Sequence, residues 1–401
     1  MALLPVEEAL RRILDGVAPV GVESVDLIGA ADRVLAEDVT ATLTQPPFNA
    51  SAMDGYAVRA TDLASEPAAL RIIGESNAGS PFDATVGAGQ AVRIFTGASV
   101  PPGADAVVIQ EDTERSGDAL TVREAAKAGA HIRRAGGDFH AGDVLLRAGR
   151  LLDASAITLA AAGGHATLKV RRAPRIAILA TGDELVEPGT KPGPGQIVSS
   201  NPYGLAALVA RFGAEAKLLG IAADTAEDLE GKLATAADAD VLVTIGGASV
   251  GDRDLVKPAL EARGMTLDFW KVAVRPGKPM LFGKLDAMRV LGLPGNPLSC
   301  LIAARIFLVP LIFRLLGRDD AAVHESSAVL AHDLEANGAR QHYMRGTLAS
   351  GQAGLPRVTA LASQDSSHMS ALAAADVLIV RPPNAPAARA GDTVRVLPLD
   401  F

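Results

Sequence analysis

Apolar residues in Pro5-Val6-Glu7-Glu8-Ala9-Leu10-Arg11-Arg12-Ile13-Leu14 fall at helical spacing, with acids in the first turn, and predict a helix. Between about residues 18 and 170 the rhythm changes. Short β-type runs at 91–95, 106–110, 120–122 and 143–146 alternate with Gly/Pro turns such as Val100-Pro101-Pro102-Gly103, which predicts a β-rich region of short strands and tight connections. From Pro174 a strand, a glycine-containing loop and a helix follow one another repeatedly. The strands are read at 175–180, 216–222, 241–245, 267–274 and 289–292, and the helices at 202–212, 226–237, 254–263 and after Pro297. The run at 175–180 is, after its first residue, continuously apolar, as strands buried on both faces are, and 241–245 reads as another buried strand. Such alternation implies a mostly parallel sheet with helices on both faces, and ligands in these sheets bind beyond the carboxyl ends of the strands. Residues 321–401 return to short strands, at 328–333, 357–360, 377–380 and 393–397.

Composition narrows the class. The 401 residues exceed one ordinary core and imply two to four domains. With 49% hydrophobic and 21% charged residues the chain is globular rather than disordered. A net charge of −8 speaks against a general nucleic-acid or anionic-membrane binder. The lone cysteine, Cys300, excludes an intrachain disulfide framework and a four-cysteine metal site, and fits a reducing, cytoplasmic setting. The amino-terminal residues show no signal-peptide pattern. Residues 298–316 imitate a membrane span but carry Arg305, Pro310 and Arg314, so a helix buried in an α/β core is the better reading.

The strongest chemical signal is Thr244-Ile245-Gly246-Gly247-Ala248-Ser249-Val250-Gly251-Asp252-Arg253-Asp254. Glycines between a buried strand and a helix let backbone N–H groups converge on an anion, and the helix adds its positive end. A turn with only a packing role is the plain alternative. Neither the P-loop nor the dinucleotide consensus occurs. Arg275-Pro276-Gly277-Lys278-Pro279 brings two cations to the same rim, on a loop stiffened by prolines. In Leu293-Pro294-Gly295-Asn296-Pro297, Asn296 either caps the following helix or contacts a ligand, and Pro297 suits its first turn. Thr181-Gly182-Asp183-Glu184 ends another buried strand, where a hard cation such as Mg²⁺ would sit between carboxylate and phosphate. Outside this region Asn49 to Ala57, Phe95-Thr96-Gly97-Ala98 and Arg133-Arg134-Ala135-Gly136-Gly137-Asp138 stand out only as turns. The seven histidines form no zinc motif, and Cys300 reads as a buried inert thiol.

Together these segments resemble the molybdopterin molybdenumtransferase family, the MoeA proteins, which are homologous to the gephyrin E domain. The resemblance spans nearly the whole chain. Its most specific elements are Ser51-Ala52-Met53-Asp54-Gly55-Tyr56-Ala57, Thr181 to Leu185, the glycine cradle through Asp254, Arg275 to Pro279 and Gly292 to Pro297. It implies an elongated homodimer: an α/β domain with a three-layer, MoaB/MogA-like fold and mostly parallel sheet (1–17 and 173–320), a small β domain (18–43 and 140–172), a β-rich lobe at the dimer cleft (44–139) and a C-terminal β-barrel (321–401). It implies that adenylylated molybdopterin and molybdate are the substrates, that molybdenum is inserted and AMP released, and that a molybdopterin adenylyltransferase hands substrate over.

By family position Asp54, Thr96, Asp138, Glu184 and Asp254 are catalytic, with Asp54, Thr96 and Asp138 reaching the cleft from the other subunit. Gly246, Gly247, Ser249, Gly251, Arg275, Lys278, Pro294, Asn296 and Ser367 bind substrate. Asp183, Glu184, Asp224 and Asp254 hold Mg²⁺, which keeps these acids from repelling anionic ligands. Departures are Arg275, where many relatives have Lys, Ala248 in place of a common Val, and a loose match over 338–345. Two other readings stay open: a molybdopterin adenylyltransferase, against which the β-rich regions count, and a non-catalytic dimeric scaffold, against which Asp54, Glu184 and Asp254 count.

Overall fold

The computed structural model describes residues 3–65, 67–246, 255–318, 325–351, 354–366 and 368–400. Its central sheet has six strands in the order Glu215–Ala222, Arg175–Thr181, Val241–Ile245, Met288–Leu293, Leu281–Leu285 and Thr266–Trp270. The first four are parallel, and Leu281–Leu285 runs antiparallel to both neighbours. Alternate residues of a strand face opposite sides, and the core divides accordingly. Ile176, Ile178, Val241 and Val243 pack with the helix Asn201–Arg211 and the long helix Pro297–Leu316. Ala177, Leu179 and Leu242 pack on the other side with the helices Ala226–Ala234 and Val256–Ala262. Helices on both faces therefore follow from apolar runs that carry no polar side, as expected.

The expected strand at 267–274 is divided. Thr266–Trp270 stays in the sheet, Lys271 turns at φ 78°, and Val274–Arg275 leaves to pair with Gln341–Ala349. The unforeseen strand Leu281–Leu285 forms a hairpin with Met288–Leu293. Its turn has Asp286 at φ 52° but no glycine after it, so the usual Asp-Gly signature is missing. The long helix is a core element, with 94% of its most apolar window buried. Arg305 on it is 4% exposed and donates to the carbonyls of Pro398 and Leu399 and to the Asp400 carboxylate. Cys300 on the same helix is fully buried, and burial pushes its thiol pKa up.

Five strands close the C-terminal barrel, in the order Gln341–Ala349, Arg357–Ala360, Ser326–Leu330, Thr393–Pro398 and Val377–Arg381, with the last pairing back to the first. Gln341–Ala349 escapes a hydropathy reading because His342 and Arg345 point into buried space. A six-stranded sheet holds the Asp54 region, in the order Ala106–Ile109, Gly55–Val58, Gln90–Ile94, Ala68–Ser76, Ala119–Val122 and Thr113–Ser116. A smaller unit pairs Val22–Asp26 with Thr167–Arg171 and also contains the helix Ala154–Ala162. That helix departs from the β-only texture because Asp153 caps it, accepting from the Ala156 amide at 2.7 Å.

Candidate active site

Parallel pairing sets the ends of Arg175–Thr181, Val241–Ile245 and Met288–Leu293 side by side, since Ala180 aligns with Ile245 and Ile245 with Leu293. Their loops then converge. Gly246 sits at φ 87°, and a Cβ there would lie 2.9 Å from the Thr181 carbonyl oxygen, so only glycine fits. A Cβ on Gly295 would come within 3.7 Å of the Gly246 Cα, which puts the Pro294–Pro297 loop against the start of the cradle. Gly277, at φ 101°, approaches Pro294 and Ser299 on the same side, bringing the Arg275–Lys278 loop to this rim. Arg275 and Lys278 are both exposed there.

Gly182, at φ 144°, turns the chain so that the Glu184 carboxylate lies over it. Asp183 accepts a hydrogen bond from the Asp224 amide at 3.0 Å, which joins two of the expected metal-binding loops. Asp183, Glu184 and Asp224 are exposed. Asn296 accepts from the Ser299 amide at 3.4 Å and so caps the long helix, as one of its two readings required. A cavity of about 310 Å³ opens between these loops, lined by Thr181, Glu184, Gly246 and Asn296 together with Ser199, Ser200 and Asn201.

The Asp54 site is separate and more rigidly made. Gly55 begins an interior strand of its sheet, paired on both sides, and a Cβ there would lie 1.9 Å from the Val108 carbonyl oxygen. Half-buried Asp54 just before it is therefore fixed in direction. The Thr96 amide and hydroxyl both donate to its Oδ1 at 2.8 Å, and the turn at Thr96-Gly97-Ala98 is tied to Ser51 by two backbone bonds. Arg93 donates to the Gly55 carbonyl and lies over the rings of Tyr56 and Phe95. The Thr96 donors, helped by the Arg93 charge, hold the Asp54 carboxyl below the ordinary carboxylate range.

The structure thus groups Asp183, Glu184, Asp224, Gly246, Arg275, Lys278, Pro294 and Asn296 at the strand-end rim, and Asp54 with Thr96 on the lobe. Asp138 is exposed, and only its amide is engaged, with the Gln45 carbonyl. Among the described residues no hydrogen bond or ion pair joins Asp54 or Thr96 to the rim. Gly247, Ser249, Gly251, Asp254 and Ser367 lie outside the described residues. Sequence reasoning overlooked Asn201, whose place was marked by the helix-start string Ser199-Ser200-Asn201-Pro202. It also overlooked His342, the register partner of Arg275 on the barrel. Burial and four neighbouring guanidiniums, Arg275 among them, push the His342 pKa down to about 4, so the imidazole is neutral beside Arg275.

Comparison with known proteins gives three family models in order along the chain: the MoeA N-terminal region (domain I and II) over residues 4–164, a probable molybdopterin binding domain over 177–314, and the MoeA C-terminal region (domain IV) over 327–399. A molybdopterin molybdenumtransferase of Haemophilus influenzae is 36% identical over 402 residues, covering 99% of each chain. One from a Nostoc species is 41% identical over 335 residues, covering 81% of this chain and 77% of the relative. The crystal structure of a molybdopterin biosynthesis MoeA protein from Pyrococcus horikoshii superposes with a TM-score of 0.86 at 31% identity, over 99% of both chains.

Proposed function

The chain belongs to the MoeA family of molybdopterin molybdenumtransferases, and on that footing we propose that it inserts molybdenum from molybdate into adenylylated molybdopterin and releases AMP. As in its family, it is a transferase of molybdenum cofactor biosynthesis acting on a molybdopterin. The observation that carries the finer reading is that Gly246 and Glu184 line one open cavity and that the Arg275–Lys278 loop packs beside it against Pro294. Molybdate and a phosphoanhydride are both oxyanions. Backbone N–H groups freed by glycine, with Arg275 as a planar fork and Lys278 as a point charge, suit them.

Mg²⁺ belongs to this proposal. It is satisfied by one or two carboxylates together with phosphate oxygens and water, and Asp183 and Glu184 offer carboxylates at the strand end. Among the described residues no three ligating side chains converge, so Asp183 and Glu184 would hold the ion only together with the bound substrate. An ion held there would supply charge neutralisation between the acids and the phosphates.

The same reading makes the protein a cytoplasmic homodimer, with Asp54, Thr96 and Asp138 of a second copy facing the rim and a molybdopterin adenylyltransferase supplying the substrate. Asp54 is suited to act there as a fixed, ionised group that orients a water. The test is AMP release from adenylylated molybdopterin by the folded protein. Release that needs both molybdate and a divalent metal is expected; no release under those conditions rejects the transferase reading.

A further inference from the structure

Three neighbouring strands carry a row of side chains from the C-terminal barrel to the rim. His342, on Gln341–Ala349, is the register partner of Arg275 on one side and of Arg381, on Val377–Arg381, on the other. Register partners on paired strands point to the same face of a sheet, so the imidazole stands between two guanidiniums. Arg275 is the exposed end of the row, where the Arg275–Lys278 loop meets the rim. His342 and Arg381 are buried, with 7% and 5% of their surfaces exposed.

The row holds no negative charge. Arg381 donates to the carbonyls of Glu335 and Pro386, and Arg275 makes no side-chain hydrogen bond or ion pair among the described residues. The imidazole makes no hydrogen bond among them either, and its burial, with the guanidinium charges around it, keeps it unprotonated near neutral pH. Arg340 donates to the Val274 carbonyl at 3.4 Å and brings a further cation to the same strand pair. Cross-strand pairs of opposite charge stabilise a sheet, and a carboxylate at this central position would bridge both arginines. Histidine fills the buried position and forgoes that gain.

The consequence lies at Arg275. A guanidinium paired with a carboxylate has its donors and its charge committed, whereas one beside an uncharged ring keeps both for an incoming oxyanion. We propose that His342 is a positioning residue for the rim: by holding the centre of the Arg275–His342–Arg381 row without a negative charge, it keeps Arg275 unpaired and sets the affinity for the oxyanion substrate. This rests on the transferase reading above and adds a residue of the C-terminal barrel, outside the cavity, to those that tune the rim.

The test compares His342→Gln, which keeps the position uncharged, with His342→Glu, which supplies the missing carboxylate, in the full-length chain with Mg²⁺. Sodium molybdate is titrated by calorimetry, and KM for molybdate and kcat for AMP release are measured alongside. His342→Glu is expected to weaken molybdate binding and raise its KM about 10-fold with kcat nearly unchanged. His342→Gln should stay within about twofold of the wild type. In an Arg275→Gln background His342→Glu should add less than about twofold, because the guanidinium it would pair is gone. Unchanged affinity in His342→Glu overturns the proposal. So does an equal loss in His342→Gln, which marks a structural role, or the full penalty persisting without Arg275. If His342→Glu does not fold, Arg275→Gln decides: unchanged molybdate affinity overturns the proposal, and a loss there with wild-type binding by His342→Gln sustains it. Binding and turnover separate the two readings. The expected order of affinities without AMP release removes the transferase reading alone, and AMP release with equal affinities removes the His342 assignment alone.

Discussion

Asp54 and Glu184 are both carboxylates at loop mouths, yet their surroundings differ. Asp54 receives two hydrogen bonds from Thr96 on one oxygen and feels the charge of Arg93. The Glu184 carboxylate makes no hydrogen bond or ion pair among the described residues and faces an open cavity. The lobe has therefore fixed the position and charge of its acid before any ligand arrives. The rim leaves its acid free to answer a ligand or cation. A pre-set group suits a positioning role repeated identically at every turnover, whereas an unpartnered acid suits a site whose charge balance is completed by what binds.

The largest expected effect separates the two regions by fold. Gly55→Ala places a Cβ 1.9 Å from the Val108 carbonyl oxygen of the neighbouring strand, and should destabilise the lobe by more than about 3 kcal/mol. Gly246→Ala meets the Thr181 carbonyl at 2.9 Å from a strained φ. It should cost only about 1–3 kcal/mol of stability while removing most AMP release. Urea denaturation beside turnover checks both, and a larger stability loss at Gly246 would reverse the comparison. Next, Asp54→Ala should reduce kcat about 10²- to 10⁴-fold with little change in stability. Chelation of divalent metal should weaken AMP binding at the rim, read by calorimetry, while leaving thermal unfolding of the lobe unmoved.

A smaller effect concerns pH. The folded pKa of Asp54 is depressed, so the stabilisation from its Thr96 contacts is fully present above the unfolded value of about 4 and is lost only as pH falls through the lower folded value. Thr96→Val removes the hydroxyl donor but keeps the amide, and should move the acid limb of the kcat/KM profile to higher pH. An unmoved limb would mean that Asp54 does not control it. Smallest of all, Asn296→Ala should cost about 1 kcal/mol as a lost helix cap, seen as a lower Tm with KM nearly unchanged. A large rise in KM would assign Asn296 to the ligand instead.

Much of this was legible from sequence because the relevant physics is local. The strands Arg175–Thr181 and Val241–Ile245 carry no polar side, and their glycine loops mark where backbone must turn tightly. The long apolar helix was separable from a membrane span by Arg305, whose charge the fold satisfies with carbonyls and Asp400. What sequence concealed was non-local. Gln341–Ala349 looks too polar for a core strand until its arginine and histidine find buried surroundings across the barrel. Asn201 looks like an ordinary helix start until the Gly295 carbonyl, 94 residues away in the chain, claims half of its amide. The turn around Asp54 is a turn by composition, and only the close approach of Val108 shows why Gly55 must follow it.

The central claim is that the active site joins the rim of one chain to the lobe of another. Subunit complementation tests it most directly. Asp54→Ala and Glu184→Ala are each expected to be folded, dimeric and inactive. Mixed after dissociation and reassociation, they should regain about a quarter of wild-type AMP release, since half of the dimers are mixed and each mixed dimer has one intact site. A mixture that re-forms mixed dimers yet stays as inactive as either variant would show that both acids act from the same chain.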